Sequence, residues 1–335
     1  MRRPMRVGRL RRAATGLAAT TVLSLTASAC VTVHGELEVV PSATRGEAAQ
    51  ALKDFTDAYN EADKAYDPAL DAEHVTGALG AINQAGLKAR NVNYPDGNPQ
   101  HVPLELTDAK FTIPKKAGWP RFFLADVDSN RDVDKGAGDN RWVLVFVRGG
   151  ADQLWQAAYL TILSPSRIPA LKTDKDGWAE PVAPDSTALA VAPHDLSEEY
   201  ASYMQNGKPE HFKDGPHTSG WRASRKKDTN LPGMTTQYID QPLDSDDFAP
   251  LGLVTEDGNA LVFFTVRNYE RQTAAKGVRL KVHPDVKALL TGQVTSTITK
   301  ERVSSQAVTV PTGAVGSGQV EVLGRLTGLT SAKGS

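Results

Sequence analysis

Few residues in this chain combine type and spacing in a way that could do chemistry. Asp128-Ser129-Asn130-Arg131-Asp132, with Asp139 eleven residues after Asp128, sets oxygen donors at alternate positions, as a loop wrapped around calcium does. The sixth position of such a loop is glycine, for its sharp turn, and here it is Val133. The competing reading is a polar turn between two strands, where Asp and Gly serve the backbone. His211 and His217 share a polar stretch without a third ligand nearby, and the pattern His-Glu-x-x-His is absent, so they read as surface histidines rather than a zinc pair. No Gly-x-Ser-x-Gly elbow and no phosphate-cradling glycine motif occurs, and Gly316-Ser317-Gly318 reads as a loop. Arg222, Arg225, Lys226 and Lys227 cluster beside Trp221, either to meet an acidic polymer or lipid headgroup, or as an ordinary solvated face. Trp119, Trp142, Trp155 and Trp178 could line a pocket, with core packing the better account of Trp142 and Trp155. These patterns assign no catalytic residue, no cofactor and no metal.

The one residue whose chemistry can be named is Cys30, the only cysteine in the chain. Six arginines between Arg2 and Arg12, with no acidic residue, precede an uncharged stretch from Ala13 to Ala29, the order of a positive n-region and an apolar h-region. The stretch falls short of the roughly 20 residues that cross a bilayer. Leu25-Thr26-Ala27-Ser28-Ala29-Cys30 resembles the bacterial lipobox, although Ala27 stands where that motif usually has Leu. The resemblance implies a diacylglyceryl group on the Cys30 thiol, cleavage before it and an acylated amine. The alternatives are an uncleaved membrane anchor or an ordinary secretory signal cut after Ala29. Two or more acyl chains hold a protein stably, since each buried methylene contributes about 0.8 kcal/mol. Ala13, Ala14 and Thr15 follow Arg11-Arg12 where a twin-arginine signal prefers large apolar residues, which points to the general secretory route.

Composition excludes several classes of function. The chain carries 38 basic and 39 acidic residues, and removing the six leader arginines leaves 32 against 39, a charge near −7. That balance offers no footprint for nucleic acid. The part after the leader, about 306 residues, favours two domains over one. With Cys30 lipidated no disulfide is available, so stability must come from packed cores.

The elements that would position any site follow an α+β order. After a lipidated tether at 30–43, Thr44-Arg45-Gly46-Glu47 has the capping-box pattern. Ala48, Leu52, Phe55, Tyr59, Ala62 and Tyr66 then line one face of a long helix; Asp54 and Asp57 fall off that stripe and read as solvated. A second helix runs from about Val75 to Ala89, weakened by glycines. Strands are predicted at Leu104 to Ile113, Arg121 to Val127, Trp142 to Arg148 and Leu154 to Leu163, the last two joined by a Gly149-Gly150-Ala151-Asp152 hairpin. The Trp142 strand is apolar on both faces and should be central. Residues 44–165 thus form a first domain, 166–193 a linker rich in Pro, Lys and Asp, and 194–335 a second α+β domain. There, Asp195-Leu196-Ser197-Glu198 predicts a capped helix through Leu196, Tyr200 and Tyr203 that ends at Asn206-Gly207. A polar segment follows from Lys208 to Pro232. Strands return at Thr235 to Asp240, Leu251 to Thr255, Ala260 to Glu270, Val294 to Glu301, Gln306 to Val310 and Gln319 to Leu326, with an Asp257-Gly258 hairpin and a small helix near Pro284 to Leu290.

The helix around Ala51 to Asn60, the Gly118-Trp119-Pro120-Arg121-Phe122-Phe123 entry and the Trp142-Val143-Leu144-Val145-Phe146 strand resemble uncharacterised envelope lipoproteins of actinobacteria over nearly the whole mature chain. At fold level the first half resembles the nuclear-transport-factor-2-like, or cystatin-like, cone. That resemblance implies helices filling a curved antiparallel sheet, on which isomerases, dehydratases and purely structural domains are all built. The reading is a lipid-anchored envelope protein, a non-enzymatic binding or assembly module whose partners are the membrane and envelope proteins or a small ligand. The alternatives are a small-molecule isomerase or dehydratase using a cone pocket, and a structural envelope component.

Overall fold

Thr44 and Glu47 start the first helix as their spacing predicts. The Glu47 N–H donates to the Thr44 hydroxyl at 3.1 Å, and the Thr44 N–H donates to Glu47 Oε2 at 2.7 Å, so two orphan donors of the first turn are satisfied reciprocally. The computed structural model describes residues 38–335 apart from 134 and 315; the expected leader and Cys30 lie outside the described residues. After β1 (Val40–Pro41) come α1 (Arg45–Ala65), α2 (Gly77–Asn93), β2 (Leu106–Thr112), β3 (Lys115–Lys116), β4 (Arg121–Ser129), β5 (Arg141–Arg148) and β6 (Gln156–Leu163). Strand β1 pairs with β3, and the other four form an antiparallel sheet in the order β2-β4-β5-β6. Gly77 opens α2 at φ 53°, and a Cβ there would lie 2.5 Å from the Asp247 carbonyl, so only glycine fits.

The second half contributes α3 (Leu196–Asn206), α4 (Ser219–Asp228), β7 (Asn230–Leu231), β8 (Met234–Leu243), β9 (Leu251–Val254), β10 (Ala260–Ala274), α5 (Pro284–Ala288), β11 (Leu290–Thr291), β12 (Thr297–Val310) and β13 (Glu321–Gly334). Its sheet runs β11-β13-β12-β10-β8-β7, with β9 also on β10. The protein is α+β, and its two larger sheets are curved and open.

Strand periodicity sorts each long strand into two cores. In the first sheet Phe123, Ala125, Leu144 and Phe146 turn towards Leu52 and Phe55 of α1, whereas Phe122, Leu124, Val143, Val145 and Tyr159 turn the other way. There they meet Leu261 and Phe263 of β10, Val303 and Ala307 of β12, and Leu323 of β13. The alternate residues of the large sheet, Val262, Phe264, Val308 and Val310, pack under Leu196 and Tyr200 of α3. The layers are therefore helix, sheet, sheet, helix. Burial on both faces explains the continuous apolar run of β5, an interior strand of its sheet as expected. The 166–193 segment is tied to β9 of the large sheet, through Lys172 N–H to Val254 O (2.9 Å) and Val182 N–H to Gly252 O (3.0 Å), and to β3 of the small β1–β3 pair, through Lys115 N–H to Ala179 O (3.3 Å).

Three local expectations differ from what forms. The polar segment Lys208 to Pro232 contains the helix α4, whose inward face is made by Trp221 and Arg225 rather than by an apolar stripe. The strands expected at Val294 to Glu301 and Gln306 to Val310 are the single strand β12; Arg302, Ser304 and Ser305 read as a break, yet they pair with β10 and β13 throughout. Asp195 does not cap α3, because the 3-10 turn Pro193–Asp195 leads straight into the helix and leaves Asp195 at φ −85°, ψ −17°. An N-cap needs extended backbone at that position.

Candidate functional site

Alternation along four neighbouring strands brings polar side chains to one patch of the large sheet. Thr236, Tyr238 and Asp240 of β8, Asn268, Glu270 and Gln272 of β10, Arg302 and Ser304 of β12, and Arg325 and Thr327 of β13 share a face. The register sets them side by side: Asn268 stands between Asp240 and Arg302, and Ser304 opposite Thr327. Such a face normally meets water. Here Trp221, Arg225 and Asp228 of α4, with Tyr200 of α3, roof it and enclose a cavity of about 270 Å³.

The roof is fastened to the floor by a buried ion pair. Arg225 donates to both carboxylate oxygens of Asp240, at 2.7 and 2.9 Å, and Asn268 Nδ2 donates to Asp240 Oδ1 at 3.2 Å. The Arg225 guanidinium also lies 5.0 Å from the ring centres of both Trp221 and Tyr238, within cation–π range. Glu270 is held by Lys300 (2.8 Å) and Arg302 (2.7 Å). Burial by itself would raise the Glu270 pKa, but those two cations outweigh it and hold the carboxyl below its ordinary value. Arg325 stacks on Trp221 at 4.1 Å from the ring centre and has no carboxylate within ion-pairing distance among the described residues. Burial, and then the neighbouring Arg225, work against its charge and lower its pKa. Burial pushes the Tyr200 hydroxyl up to about 12, so it stays protonated and donates to the His217 carbonyl at 2.6 Å.

The residues singled out in sequence scatter over the molecule. The basic cluster divides: Arg225 turns inward, Arg222 lies over the Tyr203 ring at 5.1 Å, and Lys226 and Lys227 are exposed. His211 bonds Glu199 at 2.8 Å, and half-buried His217 lies elsewhere on the loop. In the Asp128 to Asp139 loop, Asn130 turns away to bond Glu105 N–H and the Pro103 carbonyl, and Asp132 accepts the Asn140 N–H. Among the described residues no three His, Cys, Asp or Glu side chains gather to hold a metal. Asp54 accepts from Gln50, and Asp57 pairs with Lys53. Trp119 and Trp155 join a separate stack, with Arg121 over Trp119 (4.6 Å) and Arg148 over Trp119 (5.4 Å) and Trp155 (4.8 Å), beside a smaller hollow of about 170 Å³. Trp142 and Trp178 pack partly buried against the first core. The tryptophan that lines the cavity under α4 is Trp221.

This is a two-sheet α+β body with a roofed polar cavity, and no described helix is long and apolar enough to cross a membrane. The family model "Domain of unknown function (DUF8094)" matches residues 39–334. An uncharacterized lipoprotein of Streptomyces coelicolor is 56% identical over 334 residues, 99% of this chain and 98% of that one. An uncharacterized lipoprotein of Streptomyces avermitilis is 54% identical over 322 residues, 96% of this chain and 94% of that one. The chain belongs to this DUF8094 lipoprotein family, as the resemblance in its sequence implied.

Proposed function

We propose that the protein is exported, cut before Cys30 and lipid-anchored there, and that its body is a non-enzymatic binding module whose ligand site is the cavity under α4. The observation that supports this reading is the state of the two carboxylates on the cavity floor. Asp240 gives both oxygens to Arg225, and Glu270 is held ionised between Lys300 and Arg302. A general base needs a free lone pair and a pKa near the working pH. Groups paired in this way orient and bind instead.

The enzyme reading would need a free acid or base in a pocket. Asp71, fully buried and with its pKa pushed up by burial to about 6, has the right acidity. It is closed in by hydrogen bonds from Asn83 and Gln84 and lines none of the cavities described above. The helix-facing side of the first sheet, where a cone enzyme would keep its ligand, is filled by Phe55, Phe123, Phe146 and Trp155.

A thermal-shift screen of the full-length protein against small molecules, with each hit re-isolated after prolonged incubation, tests the reading. A binding module raises its melting temperature with hits that are recovered unchanged. Turnover of a hit would replace the proposal with an enzyme. For the anchor, labelling with radioactive palmitate should mark the wild type and not Cys30→Ala, and the variant should leave the membrane fraction. A variant still firmly membrane-bound would sink the lipid anchor.

A further inference from the structure

We infer that the cavity under α4 takes a small anion, a carboxylate or phosphate carried on a short apolar body. The inference rests on the binding reading of the same cavity and names the chemical class of its ligand. Charge is the first argument. The cavity's buried acids are matched, Asp240 by Arg225 and Glu270 by both Lys300 and Arg302. Arg325 has Trp221 against its guanidinium and, among the described residues, no carboxylate within ion-pairing distance. A third acid of the lining, Asp228, stands on the roof, so with Lys300 four cations meet three carboxylates, a slight positive excess in a chain whose charge after the expected leader is near −7.

Donor capacity is the second argument. A guanidinium has five N–H donors and no acceptor, and three guanidiniums, those of Arg225, Arg302 and Arg325, face the same space. Of the three carboxylates in the wall, Asp240 and Glu270 are already engaged, and Asp228 lies exposed on the roof. What a ligand must bring is acceptors. An oxyanion supplies them in a geometry that guanidinium matches, and it restores the interaction Arg325 lacks.

Size and lining limit the rest. About 270 Å³ lies at the low end of the roughly 300–1,000 Å³ of small-molecule pockets, which suits a small ligand rather than a polymer segment with side chains. Leu231, Met234 and Val266 give the wall an apolar side for a short hydrocarbon or ring.

Calorimetric titration of the full-length protein in mild detergent with four matched probes tests this: benzoate, phenyl phosphate, benzamide and benzamidine. The expected result is that benzoate or phenyl phosphate binds at least tenfold more tightly than benzamide, with benzamidine weakest. Binding of one anion only assigns the carboxylate or the phosphate as the recognised group. Arg325→Met should weaken the anions at least tenfold and leave benzamide unchanged, whereas Arg325→Lys should recover part of the loss. Melting curves for both variants check that the fold is intact, and Thr327→Leu, which fills the cavity without removing charge, should weaken all probes. Equal binding of benzamide and benzoate, or anion affinity indifferent to Arg325→Met, overturns the anion inference and leaves the binding reading standing. If no probe binds, the anion inference falls, and the binding reading stands or falls by the thermal-shift screen.

Discussion

Arg225 of α4 and Asp240 of β8 face each other with both guanidinium–carboxylate bonds made, at 2.7 and 2.9 Å, and both side chains are almost entirely removed from water. This contact joins a helix without an apolar stripe to the polar face of a sheet. Removing one partner of such a pair leaves the other charge buried, at about 3–5 kcal/mol. Arg225→Met and Asp240→Asn should therefore each lower the unfolding free energy by that order in urea titrations. The double variant Arg225→Met/Asp240→Leu should lose less than either change alone. Losses that simply add would show that the two residues are not coupled.

Asp71 should make stability depend on pH. Its folded pKa, about 6, lies above the ordinary carboxylate value because burial disfavours the charge. Its contribution is fully present below pH ~4 and is lost as pH rises through 6, a change on the order of 3 kcal/mol at about 1.4 kcal/mol per unit. Asp71→Asn removes this slope, so the variant should gain on the wild type between pH 4 and 7 by up to that amount. Parallel stability curves for the two proteins would contradict the assignment.

His217 acts in the opposite direction. Burial, then the nearby charges of Arg325 and Arg167, depress its folded pKa, so the unfolded chain takes up the proton first as pH falls below ~6.5. The stability tied to neutral His217 is present at higher pH and declines as acid is added. His217→Gln should flatten the fall in melting temperature between pH 6.5 and 5 by differential scanning calorimetry. An unchanged slope would exclude the residue as its source.

Tyr159 of β6 bridges the two sheets, donating to the carbonyls of Phe248 (3.0 Å) and Ala249 (2.9 Å) while its ring lies 5.9 Å from that of Phe263. Tyr159→Phe leaves those acceptors without their buried donor, a loss of about 1–3 kcal/mol. Because residues of both sheets share that core, the change should move the unfolding of segments 44–165 and 194–335 together. Hydrogen exchange read separately over the two segments checks this, and destabilisation confined to one of them would show that they unfold independently.

Much of the scaffold was legible before any coordinates. The capping box at Thr44 and the spacing of Leu52 and Phe55 announce α1, since both signals are local and periodic. The two-faced apolar run at Trp142 announces an interior strand, and Asp257-Gly258 announces the turn between β9 and β10. Helix α4 was not legible, because one arginine and one tryptophan do the packing usually done by an apolar stripe. The cavity was missed for the same reason. Alternating Asn268, Glu270 and Gln272 look like the wet face of an amphipathic strand until something is known to cover them.

From the residues alone come the expectation of a leader ending at the single cysteine, the acidic balance, the α+β order and most helix and strand positions, all set by composition or by contacts within a few residues. Only the tertiary structure decides that two sheets share a core, that Arg225 leaves the basic cluster for Asp240, and that Arg325 stacks on Trp221 with no ion-paired carboxylate among the described residues. Those outcomes depend on pairings such as Arg225 with Asp240 and Trp221 with Arg325. Strand register and helix docking bring these partners together across the chain, and no local pattern records them.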